Sequence, residues 1–184
     1  MLALLLTLAT MVALVLVRHG TRGLLRLTAL RFRAPLLPLA ACAAQLVAVA
    51  SPQQRCLWLL LSAACLSVFC WRNRLIPGSY LVLGGLLLNM TVMELNNGYM
   101  PLNRPLAIQT RHQLLRSGAA MQWSKDMVLD DQQARLAWLG DRLTLPGPLE
   151  RLAVWSIGDV VLLLGVGRLL FRIAGGCPAL QASC

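Results

Sequence analysis

Five apolar runs of about sixteen to twenty residues each dictate what this chain can fold into: Leu2–Val17, Ala34–Ala50, Cys56–Trp71, Ser79–Leu95 and Leu152–Phe171. None carries a charge before its final turns except Asp159. A sixteen-residue helix rises about 24 Å at 1.5 Å per residue, slightly short of a ~30 Å hydrocarbon core. Flanking arginines that snorkel, or a thin bilayer, close the difference. The runs therefore predict an all-α integral membrane protein with five transmembrane helices, forming a single membrane domain over residues 1–184. The competing reading is an unusually apolar soluble helical bundle, and the length of the runs argues against it.

Composition points the same way. Hydrophobic residues make up 58% and charged residues 13%, with a mean hydropathy of +0.66, whereas a soluble domain carries about 25% charged residues. A net charge of +10 would suggest nucleic acid in a soluble protein. Here the arginines gather at the ends of the runs, where anionic lipid headgroups sit. No aromatic residues interleave with basic ones, so no nucleic-acid partner is expected. The first run has no positive charge before it and a basic cluster after it, from Arg18. That order suits a retained span and not a cleaved secretory signal. The six cysteines form no C-x-x-C pair. Cys42, Cys65 and Cys70 lie within runs, where a thiol packs as a small apolar side chain, while Cys177 and Cys184 fall in the tail.

Basic residues between the runs set the orientation. The link 18–33 holds Arg18, Arg22, Arg26, Arg31 and Arg33, the third link holds Arg72 and Arg74, and the tail side holds Arg168 and Arg172. The link 51–55 holds only Arg55, and the long link 96–151 mixes seven basic with five acidic residues. The positive-inside rule then places the N-terminus outside, the tail 173–184 in the cytoplasm and residues 96–151 in one long extracytoplasmic loop. The implied location is a bacterial cytoplasmic (inner) membrane, with anionic headgroups against the cytoplasmic face.

Within the links, leucines at 24, 25, 27 and 30 alternate with arginines at near-helical spacing. This is either an amphipathic interfacial segment or an ordinary basic loop. Ala40, Ala44 and Ala48 share one face of the second run, and Gly84, Gly85, Gly158 and Gly165 flatten the fourth and fifth. Small residues allow close packing in lipid, within the bundle or against a partner subunit. The middle of the long link, Gln109–Leu139, favours helix by composition, and Leu145-Pro146-Gly147-Pro148 reads as a stiff turn.

Two polar clusters lie at the outer end of the bundle. The first is Glu94-Leu95-Asn96-Asn97-Gly98-Tyr99-Met100-Pro101, with Asn89 more than a turn deeper. Asn97–Gly98 supplies residues that accept positive φ, as a helix C-cap needs. The second is Ser156-Ile157-Gly158-Asp159. An acid within a span is by default a functional hypothesis. The pattern S-x-x-D is also a capping box, and Trp155 with Val160 would make its hydrophobic staple, in which case the helix begins at Ile157. Asn89, Glu94, Asn97 and Asp159 are the candidate ligand-binding residues. Asn96, Gly98, Pro101 and Ser156 are the candidate turn and cap residues. A clamp from Asp159 to Asn89 or to the 96–98 turn is the third reading. His19 stands beside arginines without a histidine at matching depth, and His112 has no ligand companion at metal spacing, so no cofactor, metal or catalytic residue is expected.

These motifs carry a resemblance. The chain resembles a bacterial family of small multi-pass membrane proteins known only as a domain of unknown function, whose members carry an N-G-G-x-M-P turn and an S-I-G-D start to the last span. Here the first reads Asn96-Asn97-Gly98-Tyr99-Met100-Pro101, with Asn97 where glycine is usual, and the second is intact. Asp141-Arg142-Leu143-Thr144-Leu145-Pro146 is similar to the stretch preceding that span. The resemblance implies the multi-pass architecture and no activity. The resulting expectation is a non-enzymatic accessory or assembly subunit beside other membrane proteins. The alternative is a small transporter or lipid-binding protein with a polar site at the outer end of spans four and five. An enzyme would need Glu94 and Asp159 as an acid/base pair.

Overall fold

The computed structural model describes residues 2–111, 118, 126–130, 132–144 and 154–176. Among them are six helices: α1 (Leu2–Thr28), α2 (Leu36–Ala50), α3 (Arg55–Arg72), α4 (Ser79–Leu95), α5 (Arg104–Arg111) and α6 (Ile157–Ala174). Four short strands join them: β1 (Met100–Asn103), β2 (Asp126–Leu129), β3 (Leu143–Thr144) and β4 (Val154–Trp155).

Each apolar run contains a helix; the second starts at Leu36 and not at Ala34, which sits at φ 56, and two boundaries move further. The first helix continues through Arg18 and His19, breaks at Gly20 (φ 62, ψ −167) and resumes to Thr28, so much of the basic link is helix. The last begins at Ile157 and not Leu152, because Val154–Trp155 is strand and Ser156 caps the helix. Among the described residues one helical segment, Pro52–Arg72, is both long and apolar enough to cross a bilayer. Leu36–Ala50 and Ser79–Leu95 are apolar but shorter, and α6 carries Asp159, Arg168 and Arg172.

The five long helices lie side by side in the spatial order α2, α3, α4, α6, α1. Direction follows from the paired residues. Gln45 meets Ser62 and Arg33 meets Asn73, which makes α2 and α3 antiparallel. Gly98, just past α4, lies against the Arg55 side chain at the start of α3. In α1 and α6, His19 lies near Phe171 (ring centroids 6.5 Å apart) and Arg26 donates to the Ala174 carbonyl at 2.9 Å. These two helices therefore run in the same direction. One end of the layer collects Arg18, Arg22, Arg33, Arg72, Arg74 and Arg172, and is called here the arginine end. The other carries residues 96–155, the loop end.

The α4–α6 contact is a glycine seam in antiparallel register. Gly78 faces Gly165, and Gly85 faces Gly158. A methyl group on residue 85 would stand 2.5 Å from the Gly158 carbonyl oxygen, and one on residue 165 would stand 2.7 Å from the Val82 nitrogen. Neither distance accommodates a side chain, so the seam exists because these residues have none. Gly84, one position away, meets nothing within 4 Å. Between α2 and α3 the small residues that are buried are Ala41, Ala44 and Ala48. Ala44 and Ala48 belong to the face read in the sequence, while Ala40 is exposed and Ala41 is buried in its place.

Within the long link, the described residues depart from the helix that composition suggested at 126–129. Among its described residues α5 ends at Arg111, and 126–129 is a strand paired in parallel with β1, Met100 opposite Asp126. β3 pairs antiparallel with β4, Leu143 opposite Trp155, and a bridge joins Leu102 to Asp141. The all-α expectation is corrected accordingly: the fold is mostly helical with two small two-stranded sheets. The stretch around Trp123, the turn at 145–148, His112, Cys177 and Cys184 lie outside the described residues. A core of Ala48, Leu59, Val92, Met93, Met100 and Leu139 joins the loop end of the helices to the link. A second, of Leu102, Ala107 and Val128, holds the link itself together.

Candidate functional site

At the loop end the candidate residues divide into three groups. The first is built on the start of α6. Ser156 has extended backbone (φ −90, ψ 164), and its hydroxyl accepts from the Asp159 N–H at 3.0 Å. Asp159 Oδ2 accepts from the Ser156 N–H at 3.1 Å, completing the capping box. Asn89, reaching across the glycine seam from α4, then bonds both members. Its Nδ2 donates to Asp159 Oδ1 at 2.7 Å, and its Oδ1 accepts from the Ser156 hydroxyl at 2.9 Å. The cap and the clamp are thus one network. Both Asp159 oxygens are engaged in bonds that fix α6 against α4. Such closure matters because a buried polar group left without a partner costs about 1–3 kcal/mol.

The second group terminates α4. The Gly98 N–H donates to the Met93 carbonyl at 2.7 Å, the six-to-one bond of a Schellman ending. Asn97 supplies the left-handed residue this ending requires, at φ 57. Asparagine tolerates that conformation better than any other residue with a side chain except aspartate. Gly98, at φ 79, could not carry a Cβ either, since that atom would stand 2.8 Å from Arg55 Cγ. Asn96 is buried and uses its whole amide. Nδ2 donates to the Val92 carbonyl at 2.7 Å and to the Arg135 carbonyl at 2.9 Å, while Oδ1 accepts from the Arg135 N–H at 2.9 Å. Pro101 lies in β1, its carbonyl accepting from the Asp141 N–H at 3.0 Å.

Sequence reasoning missed the counterpart of Asn96. Asn73, buried at the end of α3, donates to the Phe69 carbonyl at 2.8 Å and the Arg33 carbonyl at 2.9 Å, and accepts from the Arg33 N–H at 2.8 Å. The same device therefore acts at both ends of the layer. Its only sequence signal is an asparagine immediately after the last turn of each helix.

The third group surrounds Glu94. Its carboxyl lies against the Cys56 thiol, its hydrogen-bond partner. Oε1 is buried and without a partner among the described residues. The buried Arg55 beside Cys56 stacks its guanidinium 4.2 Å from the centre of the Tyr99 ring. Among the described residues Glu94 and Asp159 have no common hydrogen-bond partner, the first bonding Cys56 and the second Asn89 and Ser156. The described residues contain no group of three or more histidine, cysteine or acidic side chains placed to hold a metal.

A family model described as a family of unknown function (DUF5317) matches residues 26–171. No curated protein and no solved structure matches the chain.

Proposed function

The chain belongs to DUF5317, a family of unknown function, and from that premise we propose that it is a multi-pass membrane protein serving as a non-catalytic accessory or assembly subunit. The observation that carries the reading is the distribution of polarity in the helical layer. Leu46, Leu57 and Leu164 are 74%, 62% and 61% exposed. Meanwhile Gln45 and Asn89 turn their amides toward neighbouring helices, to Ser62 and to Asp159. A soluble monomer rarely leaves contiguous apolar patches larger than a few hundred Å² in water. Lipid makes the same surface favourable, and small-residue seams with interhelical hydrogen bonds are how helices associate there. In this reading all five long helices span the inner membrane, with the arginine end in the cytoplasm and the loop end outside. The shorter helices reach the interfaces through snorkelling arginines.

The accessory role rests on how the polar residues are used. Asn89, Ser156 and Asp159 are committed to holding α4 against α6, and Asn73 and Asn96 to fastening connections. That is the use expected of a scaffold. Purification from native membranes in mild detergent tests it: a partner membrane protein should co-purify in fixed proportion. Isolation as a partner-free monomer counts against the role. The transporter alternative is favoured by one observation, that Oε1 of Glu94 is buried without a partner among the described residues, and predicts that Asp159→Asn abolishes uptake without unfolding. The accessory reading predicts instead that the same substitution lowers Tm.

A further inference from the structure

A cleft of about 250 Å³ opens at the loop end, between the last turn of α4 and the link, lined by Leu95, Asn97, Met127, Leu129, Gln133 and Arg135 beside the clamped Asn96. At ~30 Å³ per water it has room for roughly eight waters. That is below the ~300–1,000 Å³ of drug-sized sites and suits a small headgroup. Its lining is divided by chemistry. Leu95, Met127 and Leu129 are apolar, while Asn97, Gln133 and Arg135 bring donors from α4's end and from the link.

Arg135 is the organising residue. Its N–H and C=O are both bonded to the buried Asn96, so its backbone is held in place while its side chain is exposed. Among the described residues it forms hydrogen bonds only through those peptide groups. The next residue, Leu136, sits at φ 53, and Asn97, on the α4 side of the cleft, sits at φ 57. Asn97 takes this conformation as the α4 ending requires, whereas a leucine persists there only where its surroundings over-determine it. Glycine would satisfy the backbone at 97 without strain, yet an amide-bearing side chain stands there and lines the cleft.

We propose that this cleft binds a phosphate ester, its phosphoryl oxygens taken by the Arg135 guanidinium and the Asn97 amide and its carbon chain lying over Leu95, Met127 and Leu129. The planar guanidinium fork matches phosphate geometry. The Asn97 amide adds a donor beside that fork, which suits a group with more oxygens than a carboxylate. The phosphoryl group can belong to a phospholipid headgroup or to a soluble ester. The inference goes beyond the accessory role, and only its lipid source rests on placing the loop end at a membrane surface.

The test is titration calorimetry of the full chain in a phosphate-free maltoside detergent. The probes are glycerol 3-phosphate, dihexanoyl phosphatidylglycerol below its micellar concentration, and succinate. At least one phosphate probe should bind, and Arg135→Gln should weaken it by about tenfold or more, the size of a lost charge-assisted bond. Asn97→Gly should weaken it by a smaller factor. Neither variant threatens the fold: the structural bonds of Arg135 are in its backbone, and glycine accepts φ 57 readily. Binding of the lipid alone identifies a headgroup site, and equal binding of glycerol 3-phosphate identifies a soluble ester. Absence of phosphate binding, unchanged affinity in Arg135→Gln, or succinate binding as tightly as phosphate would overturn the proposal. Co-purification of a partner is read separately, so failure of the accessory role is distinguishable.

Discussion

At Asn73 and at Asn96 one side-chain geometry recurs at opposite ends of the helical layer. Each asparagine donates to the carbonyl four residues back and pairs with both peptide groups of a distant arginine, Arg33 or Arg135. Alanine at either position leaves a partly buried peptide N–H and carbonyl without these partners, so each substitution should cost about 1–3 kcal/mol. Hydrogen exchange locates the damage: Asn96→Ala should deprotect residues 132–140 and leave 31–35 unchanged, and Asn73→Ala should do the reverse. Asn97 behaves differently because its role in the helix ending is conformational. Asn97→Gly should keep or raise Tm, whereas Asn97→Val, a branched residue forced into φ 57, should cost about 1–2 kcal/mol. The two substitutions together separate backbone strain from loss of the amide.

Among the elements, the glycine seam supplies an internal control. Gly85→Ala drives a methyl group into the Gly158 carbonyl, so α4 and α6 must separate. The expected loss is about 1–3 kcal/mol, the usual range for overpacking. Gly84→Ala, facing open space, should be neutral or stabilising by up to about 1 kcal/mol through helix propensity. Thermal unfolding of the pair in one detergent reads the difference. The seam was partly legible in the sequence, since Gly158 and Gly165 stand seven residues apart. Its partner spacing, Gly78 to Gly85, was hidden because Gly78 reads as the end of a Pro-Gly turn. The helices were legible because an apolar run declares itself locally. The sheets were not: Met100–Asn103 is only four residues long, and its partner lies more than twenty residues along the chain. Ala- and Leu-rich composition pointed to helix through residue 139, and non-local pairing overrode it at 126–129. The capping box of Ser156 and Asp159 could be read at once, being local. That Asn89 completes it could be offered only as one reading of three, because it depends on register between two helices.

For the molecule as a whole, the bilayer proposal makes a topological prediction. In a background with the native cysteines replaced by alanine, a cysteine at Gln132 should react with a membrane-impermeant maleimide in intact cells. One at Arg72 should react only after lysis. The opposite pattern would invert the assigned orientation. Neutralising Arg18, Arg22, Arg31 and Arg33 together should produce a mixed population, since those charges are four of the nine that set the positive-inside bias. The order α2, α3, α4, α6, α1 gives α6 neighbours on both sides. It also sets the first helix beside the last, latched by Arg26 on the Ala174 carbonyl. During synthesis, α1 must wait for a companion that the ribosome has yet to make. At ~5–20 residues per second the delay is on the order of ten seconds. Under the bilayer proposal, an unaccompanied hydrophobic rod would until then lie in the membrane, open to capture by an insertase or a quality-control protease. Any chain stopped before Ile157 would strand it there permanently.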